Sequence, residues 1–100
     1  MHKELKHYVL SKEADLDIDA IFDYTEHEHS FNQAIKYLLS LEMVFKSLVI
    51  NPKIGRTRNE IKTGLYSLPK QEHIIFYRIL KNHIRIVRVL HGSKDIPKQF

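Results

Sequence analysis

Apolar residues recur with the period of a helix through the first half of the chain and with the period of a strand through the last third. Residues 5–10, "LKHYVL", are a short, mostly apolar run that ends at a helix signal and reads as a first strand. Ser11 then stands as a helix N-cap, with Glu13, Asp15 and Asp17 where negative charge suits the positive end of a helix dipole. Ala14, Ile18, Ile21, Phe22 and Thr25 follow at i, i+4, i+7, i+8 and i+11, one face of a helix. Ser30 with Gln33, "SFNQ", is a capping box for a second helix. That helix presents Ala34, Tyr37, Leu38, Leu41, Phe45 and Leu48 to a core and stops at Asn51-Pro52. Little more than "HEH" separates the helices, so an antiparallel hairpin is expected. Ile35, Leu39, Met43 and Ile50 lie roughly opposite the core stripe of the second helix and read as a partner surface.

The segment "NPKIGRTRNEIKTG", residues 51–64, reads as a basic loop from its Asn, Pro and Gly. Three strand-like runs follow, "LYSLP", "HIIFYRIL" and "HIRIVRVL", with Lys81-Asn82 as the turn between the last two. With that turn, residues whose numbers sum to 163 face one another. Ile75, Tyr77 and Ile79 then share a face with Ile84, Ile86, Arg88 and Leu90, and this face is expected under the helices. Ile74, Phe76, Arg78 and Leu80 share the other face with His83, Arg85, Val87 and Val89. Arg78 and Arg85 come directly opposite, a destabilising pair unless an anion or water reaches both, and the face reads as an open basic surface for a partner. Arg88, set among apolar residues, is expected to pair with Asp15, Asp19 or Asp23 of the first helix. The predicted core is Phe22, Leu38, Leu41, Phe45, Ile75, Tyr77, Ile84 and Ile86. The polar tail "HGSKDIPKQF" is expected to lie over the surface or fray.

The order strand, two helices, three strands defines an α+β domain, β-α-α-β-β-β, with a helix hairpin packed on one face of a small antiparallel sheet. One hundred residues supply one core, hence a single domain over residues 1–100. Charge changes the picture more than size does. Residues 1–50 carry five Lys/Arg against nine Asp/Glu, and residues 51–100 carry eleven against three. A basic half of this kind points to an acidic partner, nucleic acid or protein. With no cysteine there is neither a disulfide framework nor a thiolate metal site, which fits a cytoplasmic protein. The N-terminal "MHKELKH" is charged and lacks an apolar h-region, so no secretory signal is expected. The most apolar run, residues 37–50, is broken by Glu42 and Lys46 and is too short to span a bilayer.

Seven histidines raise the question of metal, yet His27 and His29 fall at a helix end where i, i+4 spacing is wanted, and no three-ligand set emerges. The three glycines make neither a phosphate loop nor a dinucleotide fingerprint. A metal-free ribonuclease needs an acid, a base and cations for its transition state. His73, His83, His91, Arg78, Arg85 and Lys94 are of those types. Neither metal, cofactor nor small-molecule substrate is expected.

The stretches "YVLSKEADLDIDAIFDYT", "QAIKYL", "NPKIG" and above all "GLYSLPKQEHIIFYRILKNHIRIVRVLHGSKD" resemble the ParE-type toxins of the RelE/ParE superfamily of bacterial toxin–antitoxin modules, also called plasmid stabilisation proteins. The likeness runs from about Tyr8 to Asp95. It implies a non-enzymatic toxin that binds DNA gyrase, blocks replication and is neutralised by a ParD-type antitoxin, touching operator DNA only through that antitoxin. The RelE branch of the same fold, a ribosome-dependent mRNA endoribonuclease, is the alternative. It relies on a tail tyrosine, whereas this chain has none after Tyr77, and on arginines where this chain has Ile74 and Ile75. Many ParE-type members carry Trp-Gly between the helices; here the segment is "HEHSFNQ". The expected target-binding residues are Arg78, Arg85, His91, Lys94 and Phe100, with no catalytic residue. The expected antitoxin-binding residues are Ile35, Leu39, Met43, Arg78 and Arg85.

Overall fold

The computed structural model describes residues 5–100; residues 1–4, part of the N-terminal segment expected to lack a secretory signal, lie outside the described residues. The chain runs β1 (His7–Leu10), α1 (Lys12–Glu28), α2 (Phe31–Ile50), a 3-10 turn (Pro52–Ile54), β2 (Arg56–Thr57), β3 (Tyr66–Lys70), β4 (His73–Ile79), β5 (His83–His91) and a second 3-10 turn (Ile96–Gln99). Both helix starts follow from the caps in the sequence. Ser11 Oγ accepts from Ala14 N at 2.9 Å and Ser30 Oγ from Gln33 N at 3.0 Å. Only His29 and Ser30 separate the helices, so they lie as an antiparallel hairpin over one face of the sheet.

The sheet has five strands in the order β1-β5-β4-β3-β2. It is mixed rather than antiparallel, because β1 runs parallel to β5, pairing His7–Leu10 with residues 83–86. The cause is chain path. After the helix hairpin the chain meanders through β2, β3 and β4, and β5 ends beside β1 pointing the same way. The basic loop also supplies the two-residue edge strand β2, opposite Ser67 and Tyr66.

From the Lys81-Asn82 turn the hairpin register is the predicted one as far as Tyr77 opposite Ile86. There a β-bulge intervenes, and the next pair is Phe76 with Arg88, leaving Val87 unpartnered. The extra residue exchanges the two faces for the rest of β5. Val89 therefore lies under the helices and Leu90 on the far side, the reverse of the sequence expectation. Arg88 stands on the far side too, at an edge of β5 that β1 no longer covers. The helix face holds the main core of Ala14, Ile18, Leu41, Phe45, Leu48, Ile75, Tyr77, Ile84, Ile86 and Val89. A second cluster on the far face joins Leu65, Phe76 and Leu90 to Ile61, Ile74, Val87, Ile96 and Phe100. Of the predicted core, Phe22 and Leu38 are only half-buried, Phe22 meeting Phe31 edge-on at 5.8 Å.

The bulge is held by the start of α1. Ser11 Oγ donates to Val87 O at 2.7 Å, and the Val89 amide donates to Asp17 Oδ2 at 3.0 Å. Arg88 closes a two-pronged ion pair on the same carboxylate, Nε to Oδ2 at 2.8 Å and Nη2 to Oδ1 at 2.9 Å. Its acidic partner is thus Asp17 rather than Asp15, Asp19 or Asp23. Arg88 Nη1 also donates to Gln99 O at 3.4 Å, and the Phe100 ring meets Phe76 at 5.0 Å, so the tail is strapped across the far face.

Candidate interaction surfaces

Arg78 and Arg85 face each other on adjacent strands of the far face, both half-buried. Arg78 is oriented from outside the sheet: its Nη1 donates to Thr63 O at 2.7 Å. The turn that supplies this carbonyl ends at Gly64, whose positive φ of 82° suits glycine and whose amide donates to Asn59 Oδ1 at 2.9 Å. A β-carbon at Gly64 would stand 3.0 Å from Arg78 Nη1, so the glycine also leaves the guanidinium its room. Arg85 makes neither a hydrogen bond through its side chain nor an ion pair among the described residues. One row along the strands, the rings of His7 and His83 stack at 5.4 Å, 10° from parallel.

At the other end of the β4–β5 hairpin, on the helix side, lies a groove of about 340 Å3 between α1 and the free edge of β5. Ala20, Ile21 and Tyr24 form one wall, Val89, Leu90, His91 and Lys94 the other, and His73 with Glu72 closes its end. Burial, with a smaller effect of Glu72, pushes the Tyr37 phenol up to about 12, so it stays protonated. Its hydroxyl donates to Lys70 O at 3.1 Å, which leaves Nδ1–H of His73 to donate to the phenol oxygen across 2.8 Å. The His91 ring meets His73 edge-on at 5.5 Å, and its Nδ1 accepts from Ser93 N at 3.1 Å. Burial first, then the neighbouring His91, lowers the His73 pKa. Unfolding lets His73 bind a proton that the folded state resists, so its share of stability is present above about pH 6.5 and lost as pH falls towards the folded value. Replacing His73 with Gln should flatten the decline of chemical-denaturation stability just below pH 6.5. A decline of unchanged slope would assign it to other groups.

The second stripe of α2 is open. Leu39 is 55% exposed, Met43 71% and Ile50 86%, whereas Ile35 is half-buried. The sequence reading overlooked a matching stripe on α1, Leu16, Ala20 and Tyr24, with Leu16 58% and Tyr24 63% exposed. Its signal was present as i, i+4, i+8 spacing on the side of α1 away from Phe22.

The expected target-binding residues fall into separate places. Arg78 and Arg85 lie on the far face; His91 and Lys94 lie at the groove, about 17 Å along the hairpin by strand rise. Phe100 is half-buried against Phe76. The expected antitoxin-binding residues are also divided, with Ile35, Leu39 and Met43 on the helix side and the two arginines behind the sheet. Among the types suited to ribonuclease chemistry, His73, His91 and Lys94 come together, while His83, Arg78 and Arg85 do not join them. Among the described residues no three His, Cys, Asp or Glu are grouped to hold a metal ion. No described helix is long and apolar enough to cross a membrane.

The chain is thus a helix hairpin on a small mixed sheet, with open apolar stripes on the helix side and two opposed arginines on the far face. The same fold occurs in a solved chain described as "Chromosomal ParDE TA system from P. aeruginosa", with a TM-score of 0.77 over 89% of this chain and 98% of that one, at 20% identity. The chain belongs to the family described as ParE toxin of type II toxin–antitoxin system, parDE, which matches residues 8–96. Toxin ParE1 of Mycobacterium tuberculosis is 35% identical over 92 residues, covering 91% of this chain and 94% of that protein. Toxin ParE1 of Caulobacter vibrioides is 30% identical over 91 residues, with the same coverage of each.

Proposed function

We propose that this ParE-type toxin arrests growth in the cytoplasm by binding DNA gyrase, and that a ParD-type antitoxin neutralises it. The observation that carries the reading is membership of the ParE family across residues 8–96. The far face adds physical support, since Arg78 and Arg85 stand opposed on a rigid hairpin and Arg85 has no counter-charge among the described residues. A gyrase–DNA complex offers acidic surface to such a face. His91 and Lys94 would serve as a second contact at the far end of the hairpin, and Phe100 keeps the tail seated between the two. On this reading the protein carries out no reaction of its own.

Purified toxin should inhibit supercoiling and, with ATP, accumulate cleaved DNA, while leaving ribosome-bound mRNA uncut. Codon-dependent mRNA cuts with normal supercoiling would establish the endoribonuclease reading instead. Arg85→Glu should abolish growth arrest while the far-UV spectrum stays that of the parent.

The antitoxin contact is assigned first to Ile35, Leu39 and Met43. An amphipathic antitoxin segment that orders as it binds would cover this stripe. To reach Arg78 and Arg85 as well it must pass round an edge of the sheet. Leu39→Asp and Met43→Asp are therefore expected to weaken the toxin–antitoxin complex without unfolding the toxin. Titration calorimetry that finds both variants binding at parental affinity would remove α2 from the interface.

A further inference from the structure

We propose that Arg78 and Arg85 are a seat for the sugar–phosphate backbone of DNA, so that on the far face the toxin grips nucleic acid rather than protein. This rests on the reading of the far face as the target-binding side. Arg78 and Arg85 are paired directly opposite on neighbouring strands, and like charges so placed are destabilising unless anions or water reach them. Among the described residues, the carboxylates that would normally answer them are occupied or remote. The second half of the chain has only Glu60, Glu72 and Asp95. Glu60 is held by Arg58 at 2.6 Å, Asp95 lies 3.8 Å from Lys98 Nζ in the tail, and Glu72 lies at the opposite end of the hairpin beside His91. The helices that carry the other described acids pack on the opposite side of the sheet, and Asp17, which reaches round the edge of β5, is taken by Arg88.

The neighbouring cations raise the potential further. Lys81 is in the turn that ends this hairpin, and Lys6 is tied to the same turn through its amide, which donates to Asn82 O at 3.1 Å. Charge of one sign gathered at one end of a sheet matches a ligand with anions at regular short intervals. Duplex DNA carries one charge per about 1.7 Å of axis. Preorganisation favours the same ligand. Arg78 is aimed by Thr63 and given room by Gly64, and a planar guanidinium with a fixed direction takes two oxygens of one phosphate as a fork. Bases are not read in such a contact, so binding should be independent of sequence.

The test is fluorescence anisotropy of a labelled random-sequence duplex with purified toxin over a series of salt concentrations. The wild type should bind with a negative slope of log affinity against log salt. Each arginine replaced by Gln should make that slope shallower by about 1, and the double variant R78Q/R85Q should bind at least about tenfold more weakly at low salt. The pair K36Q/K46Q removes as much charge from α2 and should bind like the wild type. If R78Q fails to fold by circular dichroism, Arg85→Gln alone carries the test, since no described contact is lost with it. A double variant that binds within about twofold of wild type overturns the inference. So does competition by poly-glutamate as effective as by duplex at equal charge, or tighter binding of single-stranded RNA than of duplex. The assay contains no gyrase. Gyrase inhibition without DNA binding would remove this inference and leave the proposed function standing. DNA binding without gyrase inhibition would do the reverse.

Discussion

Replacing Asp17 with alanine is expected to destabilise the protein by about 3–5 kcal/mol, among the largest effects of any single substitution. The carboxylate accepts three hydrogen bonds, two from Arg88 and one from the Val89 amide. The Asp17 and Arg88 side chains are 14% and 19% exposed, so solvent screens the pair little. Those same hydrogen bonds hold the Arg88 pKa above its already high ordinary value, and the guanidinium cannot escape its burial by losing a proton. Alanine leaves a charge and a bulge amide without partners in a domain that has only about 5–15 kcal/mol of stability. Urea denaturation measures the loss. Arg88→Met in the Asp17→Ala background should recover part of it, because removing both charges leaves none unpaired. If Asp17→Ala costs less than about 1 kcal/mol, the bulge is held by the sheet alone.

Gly55→Ala is expected to cost about 3 kcal/mol or more, although Gly55 has an ordinary extended backbone with φ −78° and ψ 174°. The reason is space. A β-carbon there would stand 2.5 Å from Tyr77 Oη and 2.6 Å from Ser67 O. Tyr77 is buried, its phenol pKa is raised chiefly by that burial, and its hydroxyl donates to Pro52 O at 2.7 Å while accepting from Gly55 N at 3.0 Å. One phenol thus pins the exit of α2 to the centre of the sheet, and only glycine lets the backbone come close enough. Tyr77→Phe alone should cost about 1–3 kcal/mol through the two groups left unpaired. In that background Gly55→Ala should cost less than it does in the parent, since the nearest clashing atom is gone. Additive costs in thermal unfolding would show that the clash with Ser67 O dominates.

Short-range features were readable in the sequence because their causes are short-range. Ser11 and Ser30 announce the two helices by cap chemistry, and Lys81-Asn82 sets the hairpin register as far as Ile86. Beyond that point the register depends on Ser11 and Asp17, more than seventy residues earlier, and Val87 itself looks like any strand valine. The parallel pairing of β1 was hidden for the same reason, since it depends on which edge the last strand meets. Asp17 was missed as the partner of Arg88 because Asp15, Asp19 and Asp23 form the regular stripe, and only the packed position of α1 reveals that Asp17 faces β5. Of the candidate surfaces, the opposed arginines and the α2 stripe were legible. The groove lined by Tyr24, His73 and His91 was not, because it is made by three elements distant in the chain.

The parallel pairing of β1 with β5 has a consequence for how the protein is born. Among the described residues the first strand finds its only strand neighbour in the last one, and Ser11 meets Val87 across 76 residues. At a synthesis rate of about 5–20 residues per second, β1 leaves the ribosome about 4–15 s before its neighbour exists. During that interval the helix hairpin lacks most of the sheet that covers its apolar side, and the opposed arginines have not been made. A nascent chain of this topology cannot present the finished far face until β5 has been made, which gives an antitoxin already in the cell time to be waiting for it.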